Sequence, residues 1–138
     1  MRTVFAVPFV RGKGRVRFVR ATGRTYTPDA TSESMERIRA AYAAAGGLTA
    51  PPGAEVSVGI TTVRPLPRSR PRRVESEPDV FRPDADNIAK LVLDALNGTA
   101  WHDDSQVTEI YVGKAERVRG VPEQTTVVVE WKEDRDGN

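Results

Sequence analysis

Apolar positions along this chain recur in two rhythms, one of period two and one of period 3.6. Alternation over residues 2–10 predicts a first strand and over 15–20 a second, with Gly12 and Gly14 marking the turn between them. In the second, Val16, Phe18 and Arg20 share one face and Arg15, Arg17 and Val19 the other. Thr31 or Ser32 can cap a helix reaching about residue 45, with Met35, Ile38, Tyr42 and Ala45 as its apolar stripe and Gly46-Gly47 as its end. Residues 54–63 predict a third strand with Val56, Val58 and Ile60 on one face. The strongest helical signal covers residues 85–97, where Ile88, Leu91, Val92, Ala95 and Leu96 follow the spacing of a buried stripe and Asn97-Gly98 supplies the stop. Residues 106–118 and 125–132 predict two more strands joined around Gly120-Val121-Pro122. The last carries Val127, Val128, Val129 and Trp131, is apolar on both faces, and is expected at the centre of a sheet.

Residues 64–83 break both rhythms. Five prolines, with Arg64, Arg68, Arg70, Arg72 and Arg73 among them, exclude an interior helix or central strand, and predict a long loop within one domain of residues 1–132. A loop of this length in a compact domain is usually either functional or disordered, and its arginines suit a nucleic-acid backbone. Residues 133–138 read as a polar tail.

Composition sharpens this picture in two ways. There are no cysteines, which removes disulfides and thiolate metal sites, and no apolar run approaches the roughly 20 residues of a membrane span. The first apolar run is short, interrupted by Pro8 and followed by basic residues, so it does not read as a signal peptide; a cytoplasmic location is expected. The net charge of +2 conceals a polarity: residues 1–73 hold 14 basic against four acidic side chains, and residues 74–138 hold seven against 15. A chain split into halves of +10 and −8 points to a polyanionic partner for the basic half.

The acidic half has a chemical centre. Asp86, Lys90, Asp94 and Asn97 fall on one side of the helix over 85–97, opposite its apolar stripe, and Asp84 precedes that side. Two carboxylates one residue apart can converge on a cation, although helix N-termini favour Asp for capping and dipole reasons as well. A second cluster, Trp101-His102-Asp103-Asp104, follows the helix. Spacing alone leaves open whether Asp104 reaches the first pair. Other chemistries fit poorly: Asp84-Ala85-Asp86-Asn87 begins like a calcium loop but has Ile88 at a ligand position and lacks the glycine. Phe81-Arg82-Pro83, not an apolar strand, precedes the aspartates, unlike a haloacid-type phosphatase. One histidine without cysteine makes catalytic zinc a poor fit, His102 reads as a solvent-exposed loop residue, and Ser105 has no triad partners.

The run from Arg82 through Pro83-Asp84-Ala85-Asp86-Asn87, Lys90 and Asp94 to Gly98, continued by Trp101-His102-Asp103-Asp104-Ser105-Gln106-Val107 and Lys114, closely resembles the signature of the RusA family of Holliday junction resolvases. A weaker echo covers Lys13-Gly14-Arg15-Val16-Arg17 and Gly23-Arg24-Thr25-Tyr26-Thr27-Pro28, with Val16 where many relatives have proline. The resemblance implies an α/β (α+β) fold, a small mixed β-sheet with about two main helices packed on it, forming a homodimer. It implies an endonuclease of recombination and repair that cuts four-way DNA junctions with magnesium, or manganese in its place. By motif its essential aspartates correspond to Asp84, Asp86 and Asp104, expected as metal ligands, and its essential lysine to Lys90. It further implies that Asp104 returns to the start of the helix. Asp94 and Asp103 are expected in supporting roles, and Lys13, Arg15, Arg17, Arg68, Arg70, Arg72, Arg73, Arg82 and Lys114 are expected to meet DNA. The alternatives are a less selective branched-DNA or flap nuclease and a catalytically silent DNA-binding protein; the intact aspartates argue against the last.

Overall fold

The computed structural model describes residues 1–14, 17–19, 21–26 and 29–132. In chain order its elements are β1 (Arg2–Val7), β2 (Arg17–Val19), β3 (Arg24–Tyr26), α1 (Asp29–Ala44), β4 (Val56–Val63), β5 (Ser76–Glu77), α2 (Ala85–Leu96), a 3-10 turn (Asp104–Gln106), β6 (Val107–Lys114), β7 (Arg117–Val118) and β8 (Gln124–Trp131). The tail expected over 133–138 and the face assignments expected for residues 15–20 lie outside what is described.

Four strands form one mixed sheet in the order β1-β8-β4-β6. β8 runs antiparallel to both β1 and β4, while β4 and β6 are parallel. Parallel neighbours need a long crossover, and residues 64–106, with α2 inside them, supply it. The architecture is α+β with two helices, as expected. β8 is central, again as expected, but only Thr125, Val127, Val129 and Trp131 on it are buried. Its other face, with Thr126 and Val128, is half-exposed, because the buried positions of β1, β4 and β8 all lie on a single face of the sheet.

That face and the apolar stripes of the helices enclose the core, in which Ile38, Tyr42, Ile60, Ile88, Leu91, Leu96, Trp101, Val127 and Val129 are almost fully buried. The α2 stripe is as the spacing predicts. The α1 stripe is rotated: Thr31, Ser34, Ile38 and Tyr42 are buried, whereas Met35 is half-buried and Ala45 exposed. The helix begins at Asp29, ahead of the expected Thr31 or Ser32 cap, and the Thr31 hydroxyl accepts the Gly14 N–H (2.9 Å) across the fold rather than serving as a cap. β1 stops at Val7, before Pro8, which has no N–H for a ladder. The strand expected over 106–118 is two strands, because exposed Ala115 and Glu116 turn the chain so that β7 pairs with β5.

The proline-arginine segment is consequently folded. Leu66 is buried and its N–H meets the Val118 carbonyl (3.0 Å), and Arg119 Nη2 donates to the carbonyls of Pro71 (2.9 Å) and Val74 (2.7 Å). Two of its arginines are consumed internally: Arg70 Nε binds Glu77 (2.8 Å), and Arg64 grips Asp79 with two hydrogen bonds.

Candidate active site

β4 and β6 end side by side, and residues 79–84 turn over those two ends before α2 begins. Asp79 is the anchor. Its side chain is completely buried and takes Arg64 Nε at 2.9 Å and Nη2 at 2.6 Å, with Lys114 Nζ at 3.9 Å. Burial alone pushes the Asp79 carboxyl up, but the Arg64 hydrogen bonds and the two cations outweigh it and hold the group below the ordinary carboxylate range. The same arrangement raises Arg64 further, chiefly through its Asp79 hydrogen bonds.

Lys114, the last residue of β6, donates to the Phe81 carbonyl and, at 3.0 Å, to the Pro83 carbonyl. Its side chain is only 13% exposed. It was expected at the DNA, yet its ammonium is spent on the backbone immediately before Asp84. The Arg117 guanidinium covers the Phe81 ring at 4.3 Å.

Asp84 is the N-cap residue of α2, and its backbone carbonyl accepts from Asn87 and Ile88, but its side chain makes no cap hydrogen bond. Capping thus does not account for this carboxylate. Asp84, Asp86 and Lys90 are all exposed; Asp86 and Lys90, four residues apart, share one side of the first turns of α2, and Asp84 stands at its entrance. Arg82 is exposed next to them. The loop after β1 runs past the same helix: Lys13 N donates to the Asn87 carbonyl (3.2 Å), and Lys13 Nζ is paired with Asp94, one turn beyond Lys90. A cleft of about 260 Å³ opens between that loop, the start of α1 and Pro83, with Arg11 bound to Ser34 (2.9 Å) on its wall.

Asp104 is placed elsewhere. The Trp101 indole N–H donates to Asp104 Oδ1 at 2.8 Å, and Trp101 itself is fully buried and bridged to Asn97 at the far end of α2. The 3-10 turn carrying Asp104 is closed by a capping box in which the Asp103 carboxylate accepts the Ser105 N–H (3.0 Å) and the Gln106 side chain accepts from the backbone of His102 and Asp103. Hydrogen bonding from Ser105 holds the Asp103 carboxyl below its ordinary value. Gln106 also donates to Pro51 and Ala54, locking the turn beside the start of β4.

β6 separates the two groups. Asp104 precedes its first residue, while Lys114 at its last residue holds Pro83. Its eight residues span roughly 23 Å, and α2 about 18 Å. Within one chain, therefore, the return of Asp104 to the helix start does not occur, because Trp101 pins it to the helix end. Among the described residues no group of three or more His, Asp or Glu is arranged to hold a metal ion.

Of the other basic residues expected at DNA, Arg68, Arg72 and Arg73 are exposed on the folded proline-arginine segment, and Arg70 is paired with Glu77. Arg15 and the side chain of Arg17 lie outside the described residues. Sequence reasoning gave no role to Asp79 or Trp101, and took Arg64 only as one of the loop arginines suited to a nucleic-acid backbone, whereas it is paired with buried Asp79. Trp101, three residues before Asp104 in the quoted motif, was the one available signal; nothing in the pattern paired Arg64 with Asp79.

No described helix is long and apolar enough to cross a membrane. Comparison with known proteins gives a relative 37% identical over 67 residues, the uncharacterized protein YqaN of Bacillus subtilis (strain 168), the match covering 43% of this chain. That match spans about half (47%) of the relative's length. The family model described as endodeoxyribonuclease RusA matches residues 8–130, most of the chain and all of the site just described. On that match, the chain belongs to the RusA endodeoxyribonuclease family.

Proposed function

We propose that this protein is a homodimeric, magnesium-dependent endonuclease that resolves four-way DNA junctions in recombination and repair, acting in the cytoplasm. The observation that carries the reading, beside the family match, is a pair of exposed carboxylates, Asp84 and Asp86, which the fold leaves uncommitted while clamping the backbone just before them. Hard oxygen donors of this kind, few in number and open to water, suit magnesium, which keeps several waters and takes one or two carboxylates; manganese can substitute. Bound there, the ion supplies a water of lowered pKa and neutralises charge on the phosphate.

The chain's own groups do the rest. Asp84 and Asp86 repel phosphate except when a cation sits between, which couples DNA cleavage to the metal. Lys90, exposed one turn beyond Asp86, contacts the scissile phosphate and stabilises the charge that builds in the transition state. Asp104, with one carboxylate oxygen fixed by Trp101 at the far end of α2, serves as the third ligand only from the second subunit of the dimer. Arg68, Arg72, Arg73 and Arg82 supply attraction to the flanking duplex arms. Two symmetric cuts need two such centres, which a two-fold dimer provides.

The test is cleavage of a labelled synthetic four-way junction, a Y-flap and a linear duplex, with magnesium or with EDTA. The expected result is magnesium-dependent cutting of the junction in preference to the other two. Equal cutting of all three overturns the resolvase reading, and no cutting of any overturns the nuclease reading.

A further inference from the structure

Just before Asp84 the chain presents two apolar side chains to solvent. Val80, at 81%, is the most exposed large apolar residue among those described, and Phe81 beside it is 42% exposed. Isolated exposed apolar residues are ordinary on protein surfaces. This pair is braced as well as exposed. Asp79 on one side is completely buried against Arg64, and its carboxylate accepts the Phe81 N–H at 3.4 Å. The Phe81 carbonyl accepts from Lys114. Behind the ring stands the Arg117 guanidinium, 4.3 Å from the ring centroid, on a side chain that is itself buried against Glu77. The fold therefore fixes the backbone and backs the ring, and leaves Val80 and part of Phe81 uncovered.

What meets this tip must bring a flat apolar surface and negative charge together, since Arg82, the next residue, is exposed and makes no ion pair among the described residues. A base on its phosphate backbone combines the two. Reach narrows the choice. Phe81 lies three residues from Asp84, a span of at most about 11 Å, or about three base steps of a duplex at roughly 3.4 Å each. In a linear duplex every base that close to the cut is stacked on both sides and closed to a side chain. At a branch point the helical stack is interrupted, so bases there part at smaller cost. Apolar side chains pushed between base steps unstack them in this way.

We propose that Val80 and Phe81 form a wedge that enters the branch point of the DNA, Phe81 stacking on the displaced base and Val80 filling the opened step, and that this wedge gives the enzyme its preference for branched over linear DNA. Arg117 supports the ring and adds a cation beneath the stack. The proposal rests on the nuclease reading for the cut that the wedge places, but not for the contact with DNA. The exposed loop arginines attract any duplex. Discrimination comes from the wedge, because its contacts form only where the stack opens.

Binding and cutting are tested separately, with Phe81→Ala and with Val80→Ser, whose side chain is too exposed to matter for folding. In EDTA, a synthetic four-way junction with 2-aminopurine at the branch point is expected to brighten on adding wild type, as the base leaves its stack, and to brighten far less with either variant. In magnesium, Phe81→Ala is expected to cut the fully paired junction about 5- to 150-fold more slowly, the loss of one base–aromatic stack. Mismatches at the branch point, which open it beforehand, are expected to restore most of that rate. Equal signals from wild type and both variants, bright or dark, overturn the wedge, as does a slow variant that the mismatched junction fails to rescue. A fall in molecular mass in DNA-free solution in either variant also overturns it, by assigning the tip to a contact between subunits. If the wild type cuts nothing yet the brightening still depends on Phe81, the nuclease reading fails and the wedge stands.

Discussion

Trp101 and Asp104 are joined by an indole N–H to carboxylate hydrogen bond of 2.8 Å, between a side chain with no exposure and one that faces solvent. The bond fixes the position of a proposed metal ligand from inside the core. It also fixes which end of α2 that ligand occupies, and so decides that the carboxylates are divided along the length of the helix.

Trp101→Phe tests that relationship. Phenylalanine retains much of the ring's packing and removes the donor, so the expected loss of stability is about 1.5–3 kcal/mol, the usual range for a hydrogen bond to a charged group. Cleavage is expected to fall by more than the fraction unfolded explains, with junction binding retained, since the ligand is freed to leave its position. Thermal melts alongside cleavage rates separate the two effects. Unchanged cleavage in a folded variant argues that Asp104 is not placed by Trp101.

Asp79 and Arg64 make the second testable contact. A buried, bidentate pair broken from one side leaves a charge without compensation, which typically costs about 3–5 kcal/mol. Asp79→Asn is expected near the lower end, because Arg64 is 18% exposed and can find water. The pH dependence follows from the direction of the shift. The folded carboxyl titrates below its unfolded value, so its contribution is complete above about pH 4 and is lost as the pH falls through the folded pKa. Melting temperature against pH is therefore expected to drop more steeply in acid for the wild type than for Asp79→Asn. Parallel curves would show that this pair does not govern acid stability.

How far the site was legible from the sequence depends on which residues are local to one another. Asp84, Asp86 and Lys90 lie within seven positions, and a 3.6 period places Asp86 and Lys90 on one side of a helix with Asp84 at its entrance. The apolar stripe of α2 is legible for the same reason, and the central place of β8 from its run of valines. α1 starts ahead of its expected cap and is rotated, because Thr31 is engaged by Gly14, a contact 17 residues away that no local period encodes. The Arg64–Asp79 clamp, the pairing of β5 with β7 and the position of Asp104 are long-range as well. A family motif states that three aspartates act together; it does not state that they belong to one chain. In this fold β6 lies between them.

Lys114→Met asks whether a lysine expected at DNA works on the backbone instead. The substitution keeps a flexible apolar stem and removes the ammonium that holds the Phe81 and Pro83 carbonyls. Junction affinity and its salt dependence are expected to stay near wild type, since a side chain 13% exposed has little access to phosphate. The cleavage rate is expected to fall by tenfold or more, the size of effect produced when a catalytic group is misplaced by about 1 Å. Binding by anisotropy and single-turnover cutting measure the two separately. A weakened affinity with normal cutting would restore Lys114 to the DNA surface.

The loop arginines divide by the same logic. Arg68, Arg72 and Arg73 are exposed and make no ion pair among the described residues, whereas Arg70 is held by Glu77, whose carboxyl the Arg70 hydrogen bond keeps below its ordinary value. Replacing the first three together with glutamine removes up to three phosphate contacts. The slope of log affinity against log salt is then expected to shallow by as much as about 2.7, at roughly 0.9 per contact. Arg70→Gln alone is expected to leave that slope nearly unchanged and to act on the segment itself, seen as faster proteolysis within residues 64–83. An unchanged slope in the triple variant would mean that these arginines never meet DNA. A large change from Arg70→Gln would mean that its bond to Glu77 opens when DNA arrives.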